Sequence, residues 1–251
     1  MKNNKYKNKI AFTLAEVLIT LGIIGVVAAL TIPTLISNIQ GIQFRSKFKK
    51  TISVLSQAGR LSLSKYDFDY GGVVDQCGTD PISENPEYTR SVCALLNTTL
   101  QRATFYPKVT DIKLKDGTNY KFTATRSADK DVAKNPQNSI AYVLTDGTII
   151  MFKKTFGKTP CILPVGMAMQ ETYDDATGTI MANCYGFIDV NGVNGPNKEV
   201  DCSSGDNDLS KNNCVVSNDP KYLTDIYPIR FHDSIVEPMT AAARYVLHTS
   251  K

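Results

Sequence analysis

The chain of 251 residues has no tryptophan and only two histidines, and none of its six cysteines forms a C-x-x-C pair. Structural zinc sites use closely spaced Cys and His ligands, so a zinc site is poorly supported. His232 beside Asp233 looks like half of a catalytic pair, but no G-x-S-x-G nucleophile motif accompanies it. The Gly-Lys-Thr at 157–159 lacks the earlier glycine of a phosphate-binding loop. We therefore expect a protein that is not an enzyme.

Acidic residues are scarce near the N-terminus. The first eleven residues contain four lysines and no acid, and a second basic cluster follows at Arg45, Lys47, Lys49 and Lys50. From Arg60 onward, 23 acidic residues outnumber 20 basic ones. A nucleic-acid-binding surface is therefore not indicated. The basic groups flank an apolar run, where we expect a solvated helix face near phospholipid headgroups.

The apolar run has no charge over the 20 residues 17–36, which is enough for a helix to cross a bilayer. Three interpretations compete. A secretory signal peptide would have a shorter apolar core and a small-x-small cleavage site, neither of which is present. A plain membrane anchor accounts for the length but not for Glu16, because an acid in an apolar helix costs a few kcal/mol and usually marks a partner or a function.

The third interpretation rests on "KIAFTLAEVLITLGIIGVVAALTIPTL". A lysine-rich leader precedes the small Ala11, Phe12 follows, and Glu16 is the fifth residue counted from Phe12. This arrangement resembles the N-terminus of type IV prepilins and of type II secretion pseudopilins. Pro33 falls where these proteins commonly have a proline, whereas Ala11 stands where they more often have glycine.

The resemblance implies a processing pathway and a set of partners. A prepilin peptidase would cut between Ala11 and Phe12 on the cytoplasmic side and methylate the new amine of Phe12. Glu16 would then face the N-terminus of a neighbouring subunit in a filament; alternatively, it merely sits near the headgroups. Other pilin or pseudopilin subunits, an inner-membrane assembly platform and the inner membrane itself are the expected partners.

The fold class expected from the rest of the chain is α+β. Phe44, Phe48, Ile52 and Leu55 recur at helical spacing, so a long helix is predicted from Phe12 to about Ser64, with its transmembrane part at about 14–36. Two stretches rich in β-forming residues flank Asp-Gly pairs at 116–117 and 146–147, and they predict hairpins of an antiparallel sheet.

Shorter elements and long loops complete the predicted globular domain, residues 65–251. We predict a short helix near 91–102, a strand from 185, and a strand from about 225 followed by a turn near Glu237-Pro238. A C-terminal helix should start at Thr240.

The cysteines all lie beyond the apolar run, and their even number suggests disulfides in an oxidising compartment, although buried free thiols are the alternative. Six cysteines allow 15 pairings. Pairing of sequence neighbours is the simplest of these: Cys77–Cys93, Cys161–Cys184 and Cys202–Cys214.

A Gly/Asn/Asp-rich loop at 189–201 offers oxygen ligands of the kind that calcium prefers. The candidate ligands are Asp189, Asn191, Asn194, Asn197 and Asp201. The spacing is not that of an EF-hand. Major pseudopilins carry calcium in a similarly placed loop, so the resemblance adds to this expectation, while ordinary turn chemistry is the alternative. No other cofactor is expected.

The expected function is that of a structural subunit in a type II secretion pseudopilus or a type IV pilus-like filament. It would be a single-pass inner-membrane protein whose soluble domain lies in the periplasm. Its length tilts the expectation towards a minor subunit. The alternatives are a minor pilin for adhesion or DNA uptake and, from a different class, a membrane-anchored periplasmic enzyme or binding protein.

Overall fold

A 53-residue helix, α1 (Leu14–Tyr66), is the longest element of the computed structural model. It begins after the N-cap Thr13 and ends at Asp67, which takes the left-handed conformation (φ 58°) that closes many helices. The helix continues through Pro33, although the proline cannot donate the usual bond to the carbonyl of Ala29. The structure describes residues 13–78, 80, 83–100, 102–123, 138–157, 161–162, 184–209, 211–217 and 223–249.

Helix α1 has an uncovered half and a covered half. Residues Leu14–Pro33 are apolar and long enough to cross a membrane, and none of them is buried. The predicted apolar stripe of the second half is confirmed, because its members face the core: Phe44, Phe48, Ile52 and Leu55. The second half therefore belongs to the globular part of the molecule.

Six antiparallel strands form one sheet in chain order, and the predicted α+β class is confirmed. The strands are β1 (Thr104–Tyr106), β2 (Ser139–Val143), β3 (Ile149–Lys153), β4 (Tyr185–Asp189), β5 (Ile226–His232) and β6 (Ile235–Pro238). The predicted hairpin at Asp146-Gly147 joins β2 to β3, with Val143 opposite Ile149.

Both faces of the central strands are buried, which explains their nearly continuous apolar sequences. On one face, Phe48 of α1 stacks on Tyr227 with ring centroids 4.3 Å apart. On the other face, Phe122 packs on Phe187 at 5.1 Å. Residues 109–123 thus cover the face of the sheet that α1 does not reach.

The outer edge of β6 is closed by α1. The hydroxyl of Ser56 accepts a hydrogen bond from the amide of Val236 (3.1 Å) and donates one to its carbonyl (3.4 Å). An open strand edge invites pairing with another chain, and here a helix covers it. The long helix is therefore bound to the sheet by polar contacts as well as by apolar packing.

Two helices flank the sheet. Helix α2 (Val92–Asn97) has Ser91 as its N-cap. It is shorter than the predicted 91–102, because the chain turns after Asn97: the Thr98 hydroxyl donates to the carbonyl of Leu95, and the Leu100 amide donates to the carbonyl of Leu96. Helix α3 (Ala241–His248) starts after its N-cap Thr240, as predicted.

Two turn predictions need correction. The stretch around Asp116-Gly117 turns as expected, but only Lys113 and Asn119 pair across it, so it is a turn without strands. The turn after β5 lies at Asp233-Ser234 and not at Glu237-Pro238. Asp233 adopts a left-handed φ of 46° there, and Pro238 is tolerated because β6 is an edge strand.

All six cysteines are paired as sequence neighbours: Cys77–Cys93, Cys161–Cys184 and Cys202–Cys214. The first bridge ties the segment after α1 to helix α2. The second ties the region after β3 to the start of β4. The third closes a loop between β4 and β5.

At Gly59, helix α1 and the segment that follows it approach each other closely. A Cβ atom there would lie 2.8 Å from a ring carbon of Tyr70 and 3.2 Å from the Cα of Ser234. The Tyr70 hydroxyl donates to the carbonyl of Leu55 at 2.6 Å, so the ring cannot easily move away. The absence of a side chain at residue 59 is therefore required for this contact.

We expect Gly59→Ala to destabilise the full chain in detergent by about 1–3 kcal/mol, because the added methyl group overpacks the contact with Tyr70. Gly41→Ala is the matched control: it lies in the same helix with no heavy atom within 4 Å of the added Cβ. The control should raise stability by about 0.5–1 kcal/mol. Urea unfolding followed by circular dichroism measures both, and equal effects of the two substitutions would contradict the prediction.

Candidate functional site

The first candidate site is the N-terminal end of α1, where Thr13 and Glu16 form a capping box. The backbone amide and the hydroxyl of Thr13 both donate to Oε2 of Glu16 at 2.8 Å, and the amide of Glu16 donates to the Thr13 hydroxyl at 3.3 Å. A capping box satisfies backbone donors that a helix start leaves without partners. Glu16 therefore has a local structural role that the sequence analysis missed, although the T-x-x-E spacing at 13–16 signals it.

The residues of the expected cleavage, Ala11 and Phe12, lie outside the described part of the chain. Pro33, the other residue expected to matter for assembly, is exposed on the helix surface. Gly22 and Gly25 leave open space on that surface, where another helix could approach closely.

The apolar surface around Glu16 is extensive. Leu14 is 81% exposed and Leu30 is 71% exposed, and most apolar side chains between them are more than half exposed. Exposed apolar patches of this extent mark membrane or protein contacts. The uncovered half of α1 is therefore a contact surface whose cover lies outside the monomer.

The second candidate site is the loop after β4. Asp189 is fully buried, and its Oδ1 accepts bonds from the amides of Asn191 (2.9 Å) and Gly192 (2.7 Å), while Oδ2 accepts from the hydroxyl of Tyr120. The carboxylate of Asp225 lies in the same group of side chains as Asp189, and it accepts hydrogen bonds from the backbone amides of Asn197 (3.1 Å) and Lys198 (2.9 Å). Sequence reasoning missed Asp225, because it is distant in the chain.

The loop brings only some of the predicted calcium ligands together. The side chain of Asn191 bonds to Asp225, and the side-chain oxygen of Asn197 is buried with no hydrogen-bond partner among the described residues. Asn194 is exposed and donates to the carbonyl of Asn191. Asp201 is exposed and accepts from Cys202 and Asn207, on the side of the third disulfide.

The two buried carboxyl groups are electrostatically linked. Burial, together with the nearby carboxylate of Asp225, raises the pKa of Asp189 to about 7, against the bonds from Tyr120 and the loop amides. Burial also raises the pKa of Asp225 to about 6. Two acids buried side by side favour either a bound proton or a bound cation.

A different group of potential metal ligands lies at the far end of α1. Among the described residues, Cys77, Glu84 and Cys93 bring their ligand atoms within 4.8 Å of one another. The two sulfur atoms are bonded to each other, and Glu84 accepts from Gly78 and Ser91. This group is therefore a structural cluster and not a metal centre.

His232 is part of a buried ionic network. Its ring nitrogens contact Asp233 and Glu237 at 3.0 Å each, and Nε of Arg230 donates to Glu237 at 2.6 Å. Burial alone would lower the pKa of His232, but the bonds to Glu237 and Asp233 outweigh it and raise that pKa. Both ring nitrogens are occupied, which fits a structural role in the β5–β6 hairpin.

Comparison with known proteins bears on the first site. Residues 6–32 match the family model described as the prokaryotic N-terminal methylation motif, which is the type IV prepilin-like signature. The motif indicates a type IV pilin- or pseudopilin-like protein. Neither a curated protein nor a solved structure matches the chain.

Calcium should stabilise the chain if the loop after β4 holds it, as the resemblance led us to expect. We expect 1 mM calcium to raise the melting temperature in detergent at pH 8, a chelator to reverse the rise, and Asp225→Asn to abolish it. At pH 5 the rise should shrink, because protons then occupy the carboxyl groups. A melting temperature at pH 8 that is the same with calcium and with chelator would argue for ordinary turn chemistry.

Without metal, the same pair should make the chain less stable as pH rises. The folded-state pKa values of Asp189 and Asp225 exceed the ordinary 3.8, so the folded state holds protons that the unfolded chain has released. Their contribution is fully present below about pH 4 and is lost as pH rises through 7. His232 also stabilises the folded state less as pH rises above its ordinary pKa. The pH slope of the unfolding free energy should therefore be compared between wild type and Asp189→Asn, because His232 contributes equally to both. An unfolding free energy whose pH slope is unchanged by Asp189→Asn would contradict this assignment.

Proposed function

We propose that this chain, which carries the N-terminal methylation motif, is a structural subunit of a filament built around its own apolar helix. The observation that carries the proposal is the division of α1. Its first half is apolar and uncovered, and its second half is the spine of a globular domain. A single continuous helix thus joins a surface that needs a partner to a domain that is already packed.

The apolar surface of the uncovered half of α1 can be shielded from water in two successive environments. Before assembly, lipid surrounds Leu14–Pro33, which matches the thickness of a bilayer core. After assembly, the same helices of neighbouring subunits would surround it. Gly22 and Gly25 permit close approach of helix backbones. The chain would therefore be an anchor first and a filament core later.

Glu16 is the residue that would direct this assembly. In the monomer, Oε2 accepts two bonds from Thr13, so part of its charge is already satisfied. In a filament we propose that the amine freed at Phe12 of a neighbour pairs with the same carboxylate. An acid in a low-dielectric environment requires a cation, and such pairing helps to fix register.

The surrounding machinery follows from the motif. A prepilin peptidase would remove the basic leader and methylate Phe12, and an assembly platform in the inner membrane would insert the subunit. Three disulfides are consistent with a domain outside the cytoplasm. We propose service in protein secretion through a type II pseudopilus, or in a related type IV filament, in either case without catalysis.

Processing can be tested by mass spectrometry of the protein purified from cells that have an active prepilin peptidase. We expect a mature chain that starts at Phe12 and carries one methyl group on its amine. Replacing Ala11 with a bulky residue should block the cut, and a strain without the peptidase is the control. An intact Met1 N-terminus in wild-type cells would overturn the proposal.

Assembly can be tested with variants that separate the charge of Glu16 from its capping role. Glu16→Gln keeps a hydrogen-bond acceptor for Thr13 but removes the charge, whereas Thr13→Ala removes the cap, at a cost of about 1 kcal/mol, and keeps the charge. We expect Glu16→Gln and Glu16→Ala to be processed but to give few filaments, and Thr13→Ala to assemble. Electron microscopy of sheared filaments gives the yield. Normal assembly of Glu16→Gln together with failure of Thr13→Ala would show that the acid is only a cap.

A further inference from the structure

The two ends of the globular domain carry opposite charge. The proximal basic surface consists of Arg45, Lys47, Lys49 and Lys50, just after the apolar half of α1, with no acid between residues 45 and 50. The distal acidic surface consists of Asp67, Asp75, Asp80 and Glu87, beyond the other end of α1, and all four are exposed. The exposed bases Lys65 and Arg90 lie among these acids.

Local contacts neutralise only part of this charge. At the proximal end, Lys47 donates to the carbonyls of Asp146 and Val190, and Lys50 pairs with the carboxylate of Asp146 at 3.1 Å. Lys49 is exposed and makes no ion pair with a described residue. Lys49 thus gives the proximal surface an exposed positive charge that no described acid pairs with.

At the distal end, Asp67, Asp75 and Glu87 line a cleft of about 650 Å³, together with the bases Lys65 and Arg90. The side chain of Asp75 accepts a bond from the backbone amide of Arg90, and the guanidinium of Arg90 lies 5.8 Å from the centre of the Phe68 ring. Asp67 and Glu87 have no ion pair within the described residues. The distal surface thus keeps a net negative charge.

The two surfaces cannot neutralise each other within one chain. Lys49 and Asp67 lie on one rigid helix, 18 residues apart, so their backbones are separated by about 27 Å. That distance is more than three times the roughly 8 Å over which charges act at physiological ionic strength. Only a second copy can bring these charges together.

Each surface also carries exposed apolar side chains. Tyr88 is 85% exposed and Val74 is 60% exposed at the distal end, while Ile42 is 61% exposed beside the proximal basic surface. Exposed aromatic side chains next to charges are typical anchors of protein interfaces. The two surfaces therefore match in apolar character as well as in charge.

We propose that the distal acidic surface of one copy docks on the proximal basic surface of the next. This inference rests on the proposed filament and names the contact between its globular domains. The contact joins two different surfaces of the same chain, so it does not close on itself and produces an open, polar array. Every copy then has the same orientation along the array.

Zero-length carbodiimide cross-linking of filaments, followed by mass spectrometry, tests the contact directly. Filaments assembled from a mixture of ¹⁴N- and ¹⁵N-labelled chains should give mixed-label peptides joining Lys49 or Lys50 to Asp67 or Glu87. Detergent-dispersed monomer, treated alike, should lack them. Filaments whose inter-copy cross-links all lie elsewhere would overturn the proposed contact while leaving the filament itself intact.

Charge reversal provides an independent test in cells. Lys49→Glu and Glu87→Lys should each lower filament yield at least about tenfold, because like charges then face each other. The double variant should recover most of the yield. Lys108→Glu is the control and should assemble normally, because Lys108 is exposed and belongs to neither surface.

The alternative occupant of the basic surface is an anionic lipid headgroup. If Lys49→Glu weakens binding to vesicles containing phosphatidylglycerol, and Glu87→Lys does not restore assembly, the lipid accounts for the basic surface and the proposed contact is wrong. If processed wild-type chains form no filament at all, the proposed function fails, and the contact fails with it.

Discussion

An uncovered apolar helix surface is the constraint on which the rest of this structure depends. Leu14–Pro33 has no buried residue, and water cannot accommodate such a surface in a stable monomer. The helix therefore needs an apolar cover from outside the monomer. Because α1 is continuous to Tyr66, whatever covers its first half also fixes the position of the domain that is built on its second half.

The globular domain is organised to hold that helix firmly. Phe48 stacks on Tyr227 of the sheet, Ser56 closes the edge of β6, and Gly59 allows Tyr70 to bond to the helix backbone. Lys47 adds a polar link at the end of the domain nearest the uncovered half of α1, because it donates to two loop carbonyls. These contacts are distributed along the covered half of α1, so force applied to the helix is transmitted to the whole sheet.

The polar clusters of the domain serve different purposes according to their surroundings. In the network of Arg230, His232 and Glu237, the two basic side chains contact one carboxylate, which suits a rigid hairpin. Asp189 and Asp225 carry charges of one sign, and a proton or a cation has to offset them. The side-chain oxygen of Asn197, whose backbone amide donates to Asp225, is also buried in this loop.

The sequence by itself determined the elements that local pattern controls. Each of these elements depends on spacing or on turn chemistry. They are the methylation motif, the apolar span, the stripe from Phe44 to Leu55, the Asp146-Gly147 hairpin and the helix after Thr240.

Only the tertiary structure decided which distant groups meet. It added Asp225 to the loop cluster and left Asp201 outside it. It placed the β5–β6 turn at Asp233, whose left-handed backbone no local pattern required. It buried both faces of the sheet, so the strands do not show the apolar–polar alternation of a strand with one solvent-exposed face. It also placed basic and acidic surfaces at opposite ends of one rigid helix. The physical reason is common to these cases: burial and through-space charge depend on chain segments that are far apart in sequence.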